Sequence, residues 1–130
     1  MSLSRKKKIL IVEDDPDNAV ILSELLSRYT IDIASRGQIA LDKAEFNTPD
    51  LILLDIMMPE MDGFEVARRL KRNPLTDNIP IIFITAKTDA KSFIQGFDIG
   101  GEDYIMKPYD PHLVLKIVKA KLMEGKDEKK

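Results

Sequence analysis

The chemistry this sequence can do is concentrated just past its apolar runs. Glu13 and Asp14 follow Ile9-Leu10-Ile11-Val12, Asp55 follows Leu51-Ile52-Leu53-Leu54, Thr85 follows Ile81-Ile82-Phe83-Ile84, and Lys107 follows Tyr104-Ile105-Met106. If the runs are neighbouring parallel strands, their carboxyl ends share one edge, where open α/β sheets bind ligands. Three carboxylates, a hydroxyl and an ammonium then converge. Carboxylates that close raise each other's pKa and do not all stay ionised unaided. Lys107 offers one positive charge, and a divalent cation offers more. All-oxygen donors without His or Cys suit Mg²⁺, with Mn²⁺ acceptable. Asp14 and Asp55 are the direct ligands on this reading, Glu13 acts through water, and the main-chain carbonyl of Met57 completes the set. Such a site suits phosphoryl transfer. Asp55 attacks phosphorus, Lys107 and the cation neutralise the equatorial oxygens, and the Thr85 hydroxyl binds one of them. Ala86 is small and leaves room for the group.

The elements that must position these residues alternate along the chain. Residues 8–12, 51–54 and 80–84 are apolar without alternation, as in strands buried on both faces. Residues 30–34 alternate and read as an edge strand, and 103–106 form a short fifth strand. Helices are expected over 16–29, 37–46, 64–71, 89–98 and 111–123. Asp15 and Pro16 start the first helix. Ala19, Leu22 and Leu26 lie on its apolar face; Val114, Ile117, Val118 and Leu122 do so on the last. Gly100-Gly101 ends the fourth. Crossovers of this length demand parallel strands. The fold class is therefore α/β: a flavodoxin-like, doubly wound, five-stranded parallel sheet in the order 2-1-3-4-5 with five helices. Residues 1–7 read as an N-terminal extension, 8–123 as the domain, and 124–130 as a charged tail or linker.

Composition sets the bounds. The chain has 130 residues, 44% hydrophobic and 32% charged, which suits one globular domain. It has no cysteine, so disulfides and thiolate metal sites are excluded. No apolar run approaches the roughly 20 residues of a membrane span, and the start has no signal-peptide core. A cytoplasmic setting without membrane attachment is expected. A formal charge of −2 gives no case for direct nucleic-acid binding. The basic cluster from Arg5 to Lys8 reads as a solvated end.

Four motifs, in this order and at this spacing, resemble the receiver domain of bacterial two-component response regulators. They are Ile-Leu-Ile-Val-Glu13-Asp14, Leu-Leu-Asp55-Ile-Met-Met-Pro59-Glu-Met-Asp62-Gly63, Ile-Thr85-Ala86 and Tyr104-Ile-Met-Lys107-Pro108. The resemblance spans residues 8 to about 123. It implies a regulatory phosphoacceptor rather than a turnover enzyme. Asp55 would receive phosphate from a phosphohistidine on a sensor histidine kinase or phosphotransfer protein. Asp14 would bind Mg²⁺ directly, and Thr85 and Lys107 would hold the phosphoryl group. The Lys107–Pro108 bond would be cis. Tyr104 would swing inward as Thr85 is drawn to the phosphate, changing a surface of helix four, strand five and helix five read by an output domain or protein. Phosphorylation-dependent dimerisation belongs to the same expectation.

Plainer readings hold elsewhere. Asp15 is a helix cap and Asp62-Gly63 a turn and cap without chemistry. Met57, Met58 and Met61 are loop packing, since a thioether suits a hard ion poorly. His112 and the lysines at 116, 119 and 121 form solvated faces. Three other functions compete. An aspartyl-phosphate phosphatase of the haloacid-dehalogenase kind needs a second Asp where Met57 stands. A flavin or nucleotide binder needs a phosphate-cradling loop where Glu13-Asp14-Asp15 stands. A degenerate receiver serving as a docking module would not need the complete acidic, Thr and Lys set.

Overall fold

Apolar runs without alternation are stable only where both faces of a sheet are covered, and that is how they fold. The computed structural model describes residues 6–86 and 90–127, with side chains of the last helix described through Met123. The strands are β1 (Lys8–Val12), β2 (Thr30–Ala34), β3 (Leu51–Asp55), β4 (Ile81–Thr85) and β5 (Asp103–Met106). The helices between and after them are α1 (Pro16–Leu25), α2 (Gly37–Asn47), α3 (Gly63–Arg72), α4 (Ala90–Ile99) and α5 (Pro111–Asp127). All strand pairs are parallel and the order is β2-β1-β3-β4-β5, the topology expected from the sequence. Among the described residues no helix is long and apolar enough to cross a membrane.

The sheet sorts its side chains alternately into two layers. Ile9, Ile11, Leu51, Leu53, Ile82, Ile84 and Ile105 meet Leu22 of α1, Leu26, and Val114, Val118 and Leu122 of α5. Leu10, Val12, Ile52, Leu54, Ile81, Phe83 and Tyr104 meet Ala40 and Ala44 of α2 and Val66, Ala67 and Leu70 of α3. Every position of β3 and β4 is buried. At roughly 1.5–3 kcal/mol per fully buried large aliphatic side chain, these layers are the main stabilising term.

Element ends differ from the sequence expectation where tertiary pairing decides them. The first helix stops at Leu25 rather than near Tyr29, because the chain must turn for the Thr30 N–H to reach the Lys7 carbonyl at 2.9 Å. β3 takes in Asp55, which pairs with Ile84. β4 starts at Ile81, since Pro80 has no N–H to give, although its carbonyl accepts from Ile52 at 3.0 Å. α3 begins one residue early, at Gly63, with Asp62 as its cap. α5 continues to Asp127, into the span read from sequence as a tail from residue 124. Asp89, read as the start of the fourth helix, lies outside the described residues, as do Arg5 and residues 128–130.

Candidate functional site

The strands β1, β3, β4 and β5 end on one edge, and main-chain hydrogen bonds just beyond them hold the loops. The Glu13 N–H donates to the Ala34 carbonyl, Ile56 N–H to Ile84, and Lys107 N–H to Thr85, each at 3.0 Å. The carboxylates of Glu13, Asp14 and Asp55 are thereby gathered, with one oxygen of each within 4.8 Å of the others. Glu13 and Asp55 are each 1% exposed, whereas Asp14 faces solvent. Asp15 stays out of the cluster and caps α1, accepting from the Asp17 N–H at 2.9 Å.

Lys107 bridges the two buried acids. Its Nζ lies 3.0 Å from Asp55 Oδ2 and 3.3 Å from Glu13 Oε1. The other Asp55 oxygen, Oδ1, accepts from the Met57 N–H at 2.9 Å. Asp55 is thus held by one charged donor and one main-chain donor, each on its own oxygen. Burial pushes the Glu13 carboxyl up to about 7, and the Asp55 carboxylate beside it pushes the same way. Burial alone would lower Lys107, but its hydrogen bond and attraction to Asp55, with Glu13 adding to them, hold it above its ordinary value.

One ammonium against three carboxylates leaves a net negative site. The donors are all oxygens with no His or Cys among them, so the set fits a hard divalent cation of the Mg²⁺ type. Thr85 ends β4 next to Ile84, the partner of Asp55, and is fully buried. The Lys107–Pro108 peptide is cis.

Around this core the methionines divide. Met58 is buried and Met61 packs on the apolar layer of α2 and α3, but the Met57 side chain is 56% exposed, so it does not pack as expected from sequence. His112, Lys116 and Lys119 are exposed, and Lys121 reaches Glu102 at 3.3 Å. Tyr104 already points inward: it is 8% exposed and its hydroxyl donates to the carbonyls of Ser92 at 2.8 Å and Phe93 at 3.2 Å. Phe83, Phe93 and Phe97 surround its ring at centroid distances of 5.6, 4.6 and 5.3 Å.

Two residues at the site carried no functional reading from sequence. Gly63, taken as part of a turn, brings α3 against the main chain of Asp55 and Ile56, where a Cβ would collide. Tyr109 places its hydroxyl 3.4 Å from Glu13 Oε1. The sequence signal for Gly63 was its position eight residues after Asp55 at a helix start; for Tyr109 it was only proximity to Lys107.

Comparison with known proteins agrees with the fold. A family model described as the response regulator receiver domain matches residues 9–119. The chain is 44% identical over 117 residues to the response regulator ArlR of Staphylococcus saprophyticus, covering 88% of this chain and 52% of that protein. It is 46% identical over 101 residues to a probable cyclic di-GMP phosphodiesterase of Vibrio cholerae, covering 77% of this chain and 23% of that protein. A crystal structure of a CheY-like response regulator receiver domain protein from Methanospirillum hungatei superposes with a TM-score of 0.87 at 30% identity, over 95% of this chain and 98% of that one. The chain spans about half the length, or less, of the curated relatives it matches.

Proposed function

The chain belongs to the family of response regulator receiver domains, and from that premise we propose that it is a phosphoacceptor switch written at Asp55 and read at a surface away from it. The observation that carries this reading is the Lys107 ammonium between two buried carboxylates, 3.0 Å from Asp55 and 3.3 Å from Glu13. A buried, oriented carboxylate with a cation at hand is a prepared nucleophile and a prepared charge sink.

The donor is a phosphohistidine on a sensor histidine kinase or phosphotransfer protein. An Asp55 oxygen forms the new P–O bond while the P–N bond breaks, and the electron pair leaves with the imidazole. Lys107 turns from Glu13 and Asp55 to the phosphoryl oxygens, and the Thr85 hydroxyl donates to one of them. Mg²⁺ held by Asp14 and Asp55, with Glu13 through water and the Met57 carbonyl, would neutralise charge on those oxygens; Mn²⁺ suits the same donors. The main-chain N–H of Met57 keeps the Asp55 carboxylate from rotating.

Phosphorylation adds about −1.5 to −2 charges at one strand end. Thr85 and Tyr104, on adjacent strands, relay this to the surface of α4, β5 and α5, which controls an output domain or partner protein. The inward seat of Tyr104, bonded to two α4 carbonyls, supports that route because it ties β5 to α4 directly. In this role the chain is a regulatory domain of the cytoplasm.

With Mg²⁺ and acetyl phosphate, the intact mass should rise by one phosphoryl group, and Asp55→Asn should abolish the gain. Equal labelling of the variant would show that another residue is the acceptor.

A further inference from the structure

A sixth side chain touches the site. Tyr109 packs its ring, half-buried, on the apolar layer beneath α5. Its hydroxyl lies 3.4 Å from Glu13 Oε1, the same oxygen that Lys107 Nζ reaches at 3.3 Å. Glu13 Oε2 accepts from the Asp15 N–H at 3.3 Å. Both carboxylate oxygens are therefore engaged, one by two donors and one by a single donor. Glu13 is 1% exposed, so solvent cannot readily replace a donor that is lost. The phenol is a donor in this setting: burial first, then the charges of Glu13 and Asp55, push it above its ordinary value. A phenylalanine would fill the same ring volume, so packing does not account for the hydroxyl. Among the described residues its one hydrogen bond runs to Glu13.

We propose that Tyr109 is a positioning residue for Glu13. By donating to Oε1 it fixes the rotation of that carboxylate, and with it the oxygen Glu13 offers to the cation site shared with Asp14 and Asp55. The inference rests on reading this cluster as a Mg²⁺ site. Lys107 cannot do the same work alone, because its ammonium is shared with Asp55 and is drawn to the phosphoryl group when one arrives. Tyr109 keeps Glu13 oriented while that ammonium is engaged elsewhere.

The test is a calorimetric titration with Mg²⁺ alone on the wild type, Tyr109→Phe, Glu13→Gln and the double variant. Loss of one hydrogen bond of this kind should weaken Mg²⁺ binding about 3- to 10-fold in Tyr109→Phe. In the Glu13→Gln background the same change should cost less than about 2-fold, because positioning acts only through the carboxylate. Without metal, the carboxyl carbon resonance of Glu13 should move in Tyr109→Phe while that of Glu65 stays. An unchanged affinity, an unmoved Glu13 resonance, or equal weakening in both backgrounds overturns the proposal. Glu13→Gln weakening Mg²⁺ while Tyr109→Phe does not would sink this inference alone. A wild type that binds no Mg²⁺, or a Glu13→Gln variant that binds it unchanged, would sink the site reading and the inference together.

Discussion

Replacing Gly63 by alanine tests how the fold braces Asp55. Gly63 opens α3 and donates its N–H to the Ile56 carbonyl at 2.9 Å. A methyl there would meet the Asp55 carbonyl oxygen and lie 2.8 Å from Ile56 Cα and 2.9 Å from the Asp55 carbonyl carbon. Carbon atoms settle at roughly 3.5–4.0 Å, so helix and strand end must part by about 1 Å. The opposing atoms are main chain, so no side chain can swing aside. Overpacking of this kind costs about 1–3 kcal/mol, and the better helix propensity of alanine returns at most about 1 kcal/mol. A net loss of about 1–2 kcal/mol lowers Tm by roughly 3–10 °C. Function should suffer more, because a shift of about 1 Å in a reacting group can cost about 100-fold in rate. We therefore expect aspartyl-phosphate formation from acetyl phosphate at saturating Mg²⁺, followed by intact mass well below Tm, to slow by about that factor. Gly37→Ala is the control: its methyl meets Met61 Sδ and Val66 Cγ2 at 2.9 Å and Met61 Cβ at 3.1 Å, side-chain atoms rather than the main chain of Asp55. It should lose some stability and label at the wild-type rate. If Gly63→Ala labels like wild type and melts no lower, α3 does not brace the Asp55 main chain.

Two further outcomes follow from the geometry. Glu13 sits above its ordinary 4.5, at about 7, so its favourable contribution is complete at low pH and is lost as pH rises through that value. In Mg²⁺-free buffer Tm should therefore fall between about pH 5 and pH 8, and Glu13→Gln should flatten the fall; Asp55, Lys107 and Tyr109 face Glu13, but Lys107 and Tyr109 are shifted upward from 10.5 and 10.0, outside that window. An identical slope in the variant would remove Glu13 as the cause. The second outcome concerns Gly96→Ala, whose methyl would collide with the Tyr104 hydroxyl and lie 2.9 Å from its Cζ. Alanine in a helix interior normally gains about 1 kcal/mol; here we expect no gain, and Tyr104 should lose its protection from nitration. A gain in Tm with Tyr104 still protected would refute the socket.

What could be read from the sequence was what local chemistry decides. The bodies of β1, β3 and β4 are apolar without alternation, and only two-sided burial explains that. The candidate site was legible because Glu13, Asp14, Asp55, Thr85 and Lys107 stand just past such runs and nowhere inside them. What stayed hidden depends on three-dimensional neighbours. No Gly or Pro marks the end of α1, which is set by the demand of Thr30 for the Lys7 carbonyl. Asp62-Gly63 satisfies a turn by itself, so nothing local reveals the contact with Asp55. Nothing in the sequence singles out Tyr109, whose contact with Glu13 appears only in the fold. The inward seat of Tyr104 on β5 depends on Gly96 of α4 having no side chain, a fact carried by a different element.

The ion pair of Lys107 with Asp55 spans 52 positions, and the contact of Tyr109 with Glu13 spans 96. Chains are made from the N-terminus, and contacts far apart in sequence are slow to close. A ribosome-bound chain that has emerged only through β4 already carries all three acids but neither the ammonium nor the phenol that steady them. Docking of β5 is what carries Lys107 to Asp55 and Glu13, so the candidate site is complete only when the sheet is.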